Sequence, residues 1–121
     1  MSDSGLNGCR ILVVEDEYLI AGDIREALQA AGATVIGPVP SVDQALALIG
    51  SEPVPDVAML DINLRGEEIF AVADRLVELG VPFVFATGYD RTFIPDRYDA
   101  VQSLLKPIKP HTILAALEPL V

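Results

Sequence analysis

The chain has 121 residues, 51% of them hydrophobic, and sets 8 Lys+Arg against 18 Asp+Glu for a formal net charge of −10. That is one domain with enough apolar content for its own core, so disorder is excluded as the main state. The acidity excludes nucleic-acid phosphates and anionic membrane surfaces as natural partners. A single cysteine, Cys9, and a single histidine, His111, exclude an internal disulfide and a Cys/His zinc cluster.

Residues 1–8 are polar and small, without the basic start and apolar run of a secretory signal. They read as a short disordered lead to a cytoplasmic domain over 9–121. No stretch reaches the ~18 apolar residues of a membrane span. Residues 11–14 are a compact, mostly β-branched run, a first strand that ends at Glu15-Asp16-Glu17. Ile20, Ile24, Ala27, Leu28 and Ala31 then mark one face of a helix, closed by Gly32. Residues 34–36 read as a second strand, stopped by Gly37-Pro38. Ser41 suits the N-cap of a helix whose inner face is Val42, Ala45, Leu46 and Ile49. Residues 57–60 form a third strand ending at Asp61. Residues 67–79 form a helix with Ile69, Val72, Ala73 and Leu76 inward and Gly80 at its end. Residues 82–86 are a fourth strand leading to Thr87-Gly88-Tyr89. The charged stretch 90–99, with Pro95, reads as an irregular loop holding at most a short helix. Residues 101–105 are a fifth strand ending at Lys106-Pro107, and a last helix covers about 110–117.

Five strands alternating with about five helices imply right-handed βαβ crossovers and a parallel sheet with helices on both faces. Continuously apolar strand cores suit that burial. In such sheets chemistry lies beyond the carboxyl ends of the strands. Here those ends deliver Glu15 and Asp16, then Asp61, then Thr87, then Lys106. Any one of them is explained as well by capping of the helix that follows a strand. Together they form a set.

Three converging carboxylates need a cation, because two unit charges ~5 Å apart repel by roughly 3 kcal/mol at an effective dielectric of ~20. Lysine is scarce, with only Lys106 and Lys109, so a hard divalent ion with oxygen ligands fits the deficit. Mg²⁺ is the natural choice. A carboxylate beside Mg²⁺, a hydroxyl and an ammonium is equipment for phosphoryl transfer through an acyl phosphate.

These residues resemble the receiver domain of two-component response regulators. The resemblance runs over nearly the whole chain and rests on Glu15-Asp16, Asp61-Ile62-Asn63, Thr87-Gly88 and Lys106-Pro107 in that order and spacing. It implies a flavodoxin-like (βα)5 fold with strand order 2-1-3-4-5. It further implies that Asp61 is the phospho-acceptor and Asp16 a direct Mg²⁺ ligand, with Glu15 acting through water. The Asn63 backbone carbonyl would be a further metal oxygen, and Thr87 and Lys106 would be phosphoryl-binding groups. The Lys106–Pro107 bond is expected to be cis. The partners implied are a histidine kinase or histidine phosphotransferase and a downstream protein target, with the chain a monomer or weak homodimer. It is expected to be a phospho-acceptor and not a turnover enzyme. One departure is Ser103, which stands three residues before the lysine where most receivers carry Tyr or Phe. Phe85-Ala86-Thr87-Gly88-Tyr89 resembles the Phe-Ala-Thr-Gly-Tyr subgroup of single-domain receivers linked to stress signalling. Tyr89 is a candidate for part of the missing aromatic's role, beside the plain alternative of a surface aromatic. The stretch 90–99 is the expected moving part, and the face from there to the last helix the expected output surface.

Two rivals share parts of this set. A haloacid-dehalogenase-type phosphatase expects Asp-x-Asp after its first strand, whereas the nucleophile candidate here ends the third strand and is followed by Asn63. A pseudo-receiver that binds partners without accepting phosphate would not require the full set of acids, Thr87 and Lys106.

Overall fold

A computed structural model describes residues 5–51, 53–62, 64, 69–88 and 94–121. Its strands are β1 (Arg10–Val14), β2 (Thr34–Val39), β3 (Val57–Asp61), β4 (Phe83–Thr87) and β5 (Ser103–Leu105), and its α-helices are α1 (Tyr18–Ala30), α2 (Val42–Ser51), α3 (Phe70–Leu79) and α4 (Pro110–Leu117). Short 3-10 turns cover Asp96–Tyr98 and Glu118–Leu120. Every described strand pair is parallel, and the order is β2-β1-β3-β4-β5, the order that the resemblance implies. Among the described residues the α-helices number four where the sequence suggests about five, and the described part of the stretch before β5 makes only the short turn at Asp96–Tyr98.

Strand alternation divides the interior into two layers. Leu12, Val14, Ala58, Leu60, Phe83 and Phe85 face α2 and α3, against Ala45, Ile49, Val72 and Leu76. Ile11, Val13, Val57, Met59, Val84 and Ala86 face the other way, against Ile24 and Leu28 of α1 and Ile113 of α4. β3 and β4 are buried at every position, and β1 at all but its first, which is why these runs read as uninterrupted apolar sequence. Each fully buried Leu or Ile contributes about 1.5–3 kcal/mol relative to exposure. The core thereby fixes the register on which the strand ends depend.

The helix ends follow local chemistry. Ser41 Oγ accepts the Gln44 N–H at 3.2 Å, the expected N-cap bond of α2. Gly80 ends α3 at φ +73°, a conformation that costs a side chain about 1 kcal/mol. Ile69, Val72, Ala73 and Leu76 are all fully buried, as their spacing predicts.

Four boundaries differ from the sequence reading by two residues or more. The start of α3 at Phe70 is later than residue 67, with residues 65–68 outside those described. β2 continues past Gly37-Pro38 to Val39, because β1 and β2 shift register between Leu12 and Val14. Gly37 makes that shift possible: it sits at φ +96°, where a Cβ would lie 2.8 Å from the Val39 nitrogen and 3.0 Å from the Val13 oxygen. β5 starts at Ser103 rather than residue 101, because the Val101 N–H turns back to the Tyr98 carbonyl at 2.9 Å. The N-terminal boundary also moves. Leu6 is completely buried against the α1–α4 layer, and the Gly8 N–H bonds the Gly32 carbonyl at 2.9 Å. The described residues 5–8 are therefore packed turn and not a lead outside the fold.

Candidate functional site

Parallel pairing brings four strand ends to one level. Val14 pairs with Leu60, Asp61 with Ala86, and Thr87 with Leu105. The residues that follow these pairs stay pinned by backbone bonds beyond the strands. The Glu15 N–H bonds the Val39 carbonyl at 3.0 Å, and the Lys106 N–H bonds the Thr87 carbonyl at 2.8 Å. The Ile62 N–H bonds the Ala86 carbonyl at 2.9 Å. Side chains from β1, β3, β4 and β5 thus converge because their backbones cannot slide.

Lys106 is the hub. Its Nζ lies 2.9 Å from Glu15 Oε1, 3.1 Å from Glu15 Oε2 and 3.1 Å from Asp61 Oδ1. The Lys106–Pro107 bond is cis, as the resemblance implies. Glu15 Oε2 also accepts the Glu17 N–H at 3.1 Å. The Glu15 side chain is fully buried and the Asp61 side chain 1% exposed, while 15% of the Lys106 side chain reaches solvent. Burial raises the Glu15 carboxyl to about 7; the nearby Asp61 adds to the rise and the Lys106 hydrogen bond opposes it. Burial alone would lower the Lys106 pKa, but its bonds to Glu15 and Asp61 outweigh that and hold the ammonium above the ordinary lysine value.

One carboxylate oxygen from each of Glu15, Asp16 and Asp61 falls within 4.8 Å of the others. Among the described residues, three hard oxygen donors against one ammonium leave an excess of negative charge. That donor set, without sulfur or imidazole, suits Mg²⁺. Asp16 is half-buried at the rim. Thr87 is buried, and its hydroxyl donates to the Gly88 carbonyl at 3.1 Å.

Glu15, Asp16, Asp61, Thr87, Gly88 and Lys106 are therefore gathered at one end of the sheet. Ser103 is not among them: it is exposed on β5, paired with Phe85. Asn63 and Tyr89 lie outside the described residues. The sequence reading assigned Lys106 to a phosphoryl oxygen and Glu15 to a metal water, and missed their bond to each other. It also missed Glu17, whose backbone N–H orients Glu15. The run Glu15-Asp16-Glu17 directly after a strand is the available signal, because a side chain there can accept the N–H two residues on.

Residues 11–118 match the family described as the response regulator receiver domain. The phyllosphere-induced regulator PhyR of Methylorubrum extorquens is 30% identical over 110 residues, which are 88% of this chain and 41% of that protein. The chain thus spans less than half the length of that relative. The solution structure of SdrG from Sphingomonas melonis Fr1 is 38% identical, with a TM-score of 0.81 over 99% of this chain and 98% of that one. The solution structure of the BeF3-activated conformation of SdrG from Pseudomonas melonis Fr1 is 37% identical, with a TM-score of 0.77 over 100% of both chains.

Proposed function

The chain belongs to the response regulator receiver family, and from that premise we propose that Asp61 accepts a phosphoryl group from a phosphohistidine donor. The observation that carries this reading is the placement of Asp61. Its carboxylate ends β3 against the Lys106 ammonium, within reach of Glu15 and Asp16, one strand from the Thr87 hydroxyl. An Asp61 oxygen attacks phosphorus, the bond from phosphorus to the donor nitrogen breaks, and the imidazole leaves with the electron pair. The product is an acyl phosphate on Asp61. Asp16, Asp61 and the Asn63 carbonyl would hold Mg²⁺, with Glu15 behind them, and the ion would neutralise charge on the phosphoryl oxygens.

The chain's own groups do the rest. Lys106 starts on both buried carboxylates, so its ammonium is already beside the attacking oxygen and can follow the charge as it moves outward onto phosphorus. The Thr87 hydroxyl turns from the Gly88 carbonyl to a phosphoryl oxygen. Neither group is a base poised to activate a second nucleophile, which supports a phospho-acceptor that loses its phosphate slowly over an enzyme that turns over substrate. The added charge of roughly −1.5 to −2 then biases contacts with a protein target. The −10 net charge favours a protein over a nucleic acid as that target. The motif Phe85-Ala86-Thr87-Gly88-Tyr89 supports placement in the stress-linked subgroup, with Tyr89 shielding or reporting the acyl phosphate.

Acetyl phosphate with Mg²⁺ tests the reading by intact mass. The wild type is expected to gain one phosphoryl group and Asp61→Asn none. A wild type that takes up no phosphate from acetyl phosphate or from histidine kinases is instead a pseudo-receiver acting by binding alone.

A further inference from the structure

Two elements that leave the acidic pocket meet again on one side chain. β4 carries Thr87 at its end and Phe83 and Phe85 behind it, and α3 opens at Phe70 on the crossover from Asp61. Tyr98, in the 3-10 turn before β5, packs on all three rings. It stacks on Phe70 with centroids 5.7 Å apart and meets Phe85 and Phe83 edge-on at 5.6 and 6.0 Å. Phe70 and Phe85 also touch directly, edge-on at 5.9 Å. Tyr98 is 3% exposed.

The Tyr98 hydroxyl is tied down as firmly as its ring. It donates to a carboxylate oxygen of Asp74 on α3. The same carboxylate accepts two bonds from Arg97, at 3.0 and 3.1 Å, and the Arg97 guanidinium lies 4.8 Å from the Tyr98 ring centre. Burial, then the bond to Asp74, raises the Tyr98 phenol, while Arg97 and Tyr98 lower Asp74. The clasp is therefore a neutral hydroxyl on an ionised carboxylate at any ordinary pH. β5 provides no alternative aromatic, because the residue it pairs with Phe85 is Ser103.

We infer that Tyr98, clasped by Asp74 and Arg97, reads out the state of the phosphoryl site, the clasp being a contact of the unphosphorylated form. The inference rests on Asp61 as phospho-acceptor. Thr87 has one hydroxyl hydrogen, and here it goes to the Gly88 carbonyl. Donating to a phosphoryl oxygen takes it away from that acceptor and rearranges the end of β4. Phe85 lies two residues back on the same strand, in a close-packed ring cluster that changes by discrete repacking and not by smooth deformation. The ring that both β4 and α3 press on, held to α3 by a few polar bonds, is the part free to change partners. By linkage, contacts made only in the resting form oppose phosphoryl binding, and their removal favours it.

Beryllofluoride, a phosphoryl stand-in, provides the test by calorimetric titration of Mg²⁺-loaded full chain. Tyr98→Phe and Asp74→Asn are each expected to bind it about threefold to tenfold more tightly than wild type, even where their unfolding temperatures fall. Unchanged or weaker binding in both overturns the inference and leaves the clasp a plain brace. Arg97→Gln, at an exposed position, makes the same measurement should Asp74→Asn fail to fold. A wild type that does not bind, or an Asp61→Asn that binds equally well, overturns the phospho-acceptor reading and the clasp with it. Binding lost in Asp61→Asn but unaltered in Tyr98→Phe and Arg97→Gln overturns the clasp alone.

Discussion

The acidic pocket and the Tyr98 clasp are both built from carboxylates facing a cation, yet their electrostatics are opposite. In the clasp one carboxylate meets one guanidinium and one hydroxyl, with about half of the Asp74 and Arg97 side chains in solvent. Every charge is answered, and water screens what remains. In the pocket the carboxylates of Glu15 and Asp61 are almost completely buried and share one ammonium, with Asp16 beside them. The clasp is a local tie of modest strength, whereas the pocket is a frustrated site that other parts of the fold must hold together. Unbalanced charge has a use: it creates the demand for a metal ion, the setting in which the proposed phosphoryl transfer to Asp61 would run.

The contrast is sharpest at Lys106. Lys106→Met leaves two buried carboxylates without their ammonium, and is expected to destabilise the metal-free protein by about 3 kcal/mol or more, read by urea unfolding in the presence of a chelator. Wild-type stability in that variant would show that some other group balances the pocket. Mg²⁺ comes next. At a hundredfold excess over its dissociation constant it is expected to stabilise the fold by about 2.7 kcal/mol, and Asp16→Asn to remove most of that gain. A thermal shift that survives the substitution would place the ion elsewhere.

Asp61→Asn carries the opposite sign. Removing one of the crowded acids relieves repulsion, while the amide oxygen can still accept from Lys106. The metal-free variant is expected to gain about 1 kcal/mol in unfolding free energy while losing phosphorylation entirely. A loss of stability would mean that the Asp61–Lys106 attraction outweighs the crowding. The smallest effect belongs to the clasp. Asp74 is held below the ordinary carboxylate range by Arg97 and then Tyr98, so its contribution is present above its unfolded-state value and fades as pH falls through the lowered one. Asp74→Asn is expected to lower the unfolding temperature slightly near neutral pH and to converge on wild type in acid. A difference that grows in acid would contradict the pairing.

The site was legible because its residues stand where a parallel sheet ends. β1, β3 and β4 are buried along their length, so their apolar runs announce themselves and the next polar residue marks the rim. Glu15, Asp61 and Thr87 were found in this way, and Lys106 follows a short run of the same kind. Edges were less legible. β2 carries Gly37-Pro38 within it, a pair that reads as a stop, and only its pairing with β1 shows that the strand resumes at Val39. Leu6 looked like part of a polar lead, because one apolar residue has no periodicity to declare which layer it joins. Tyr98 was hidden in a charged, proline-bearing stretch, and nothing near it in sequence points to Phe70 or Asp74.

The sequence by itself determined the alternation of elements, the buried strands and the identity of the groups at their ends, since these depend on local propensity and on the two- and 3.6-residue periods of burial. The tertiary structure alone decided that Lys106 bridges Glu15 and Asp61, that Leu6 is core, and that Tyr98 binds α3. These are contacts between distant positions, fixed by strand register and crossover geometry, and no local pattern encodes the distance between side chains that meet only after the sheet has formed.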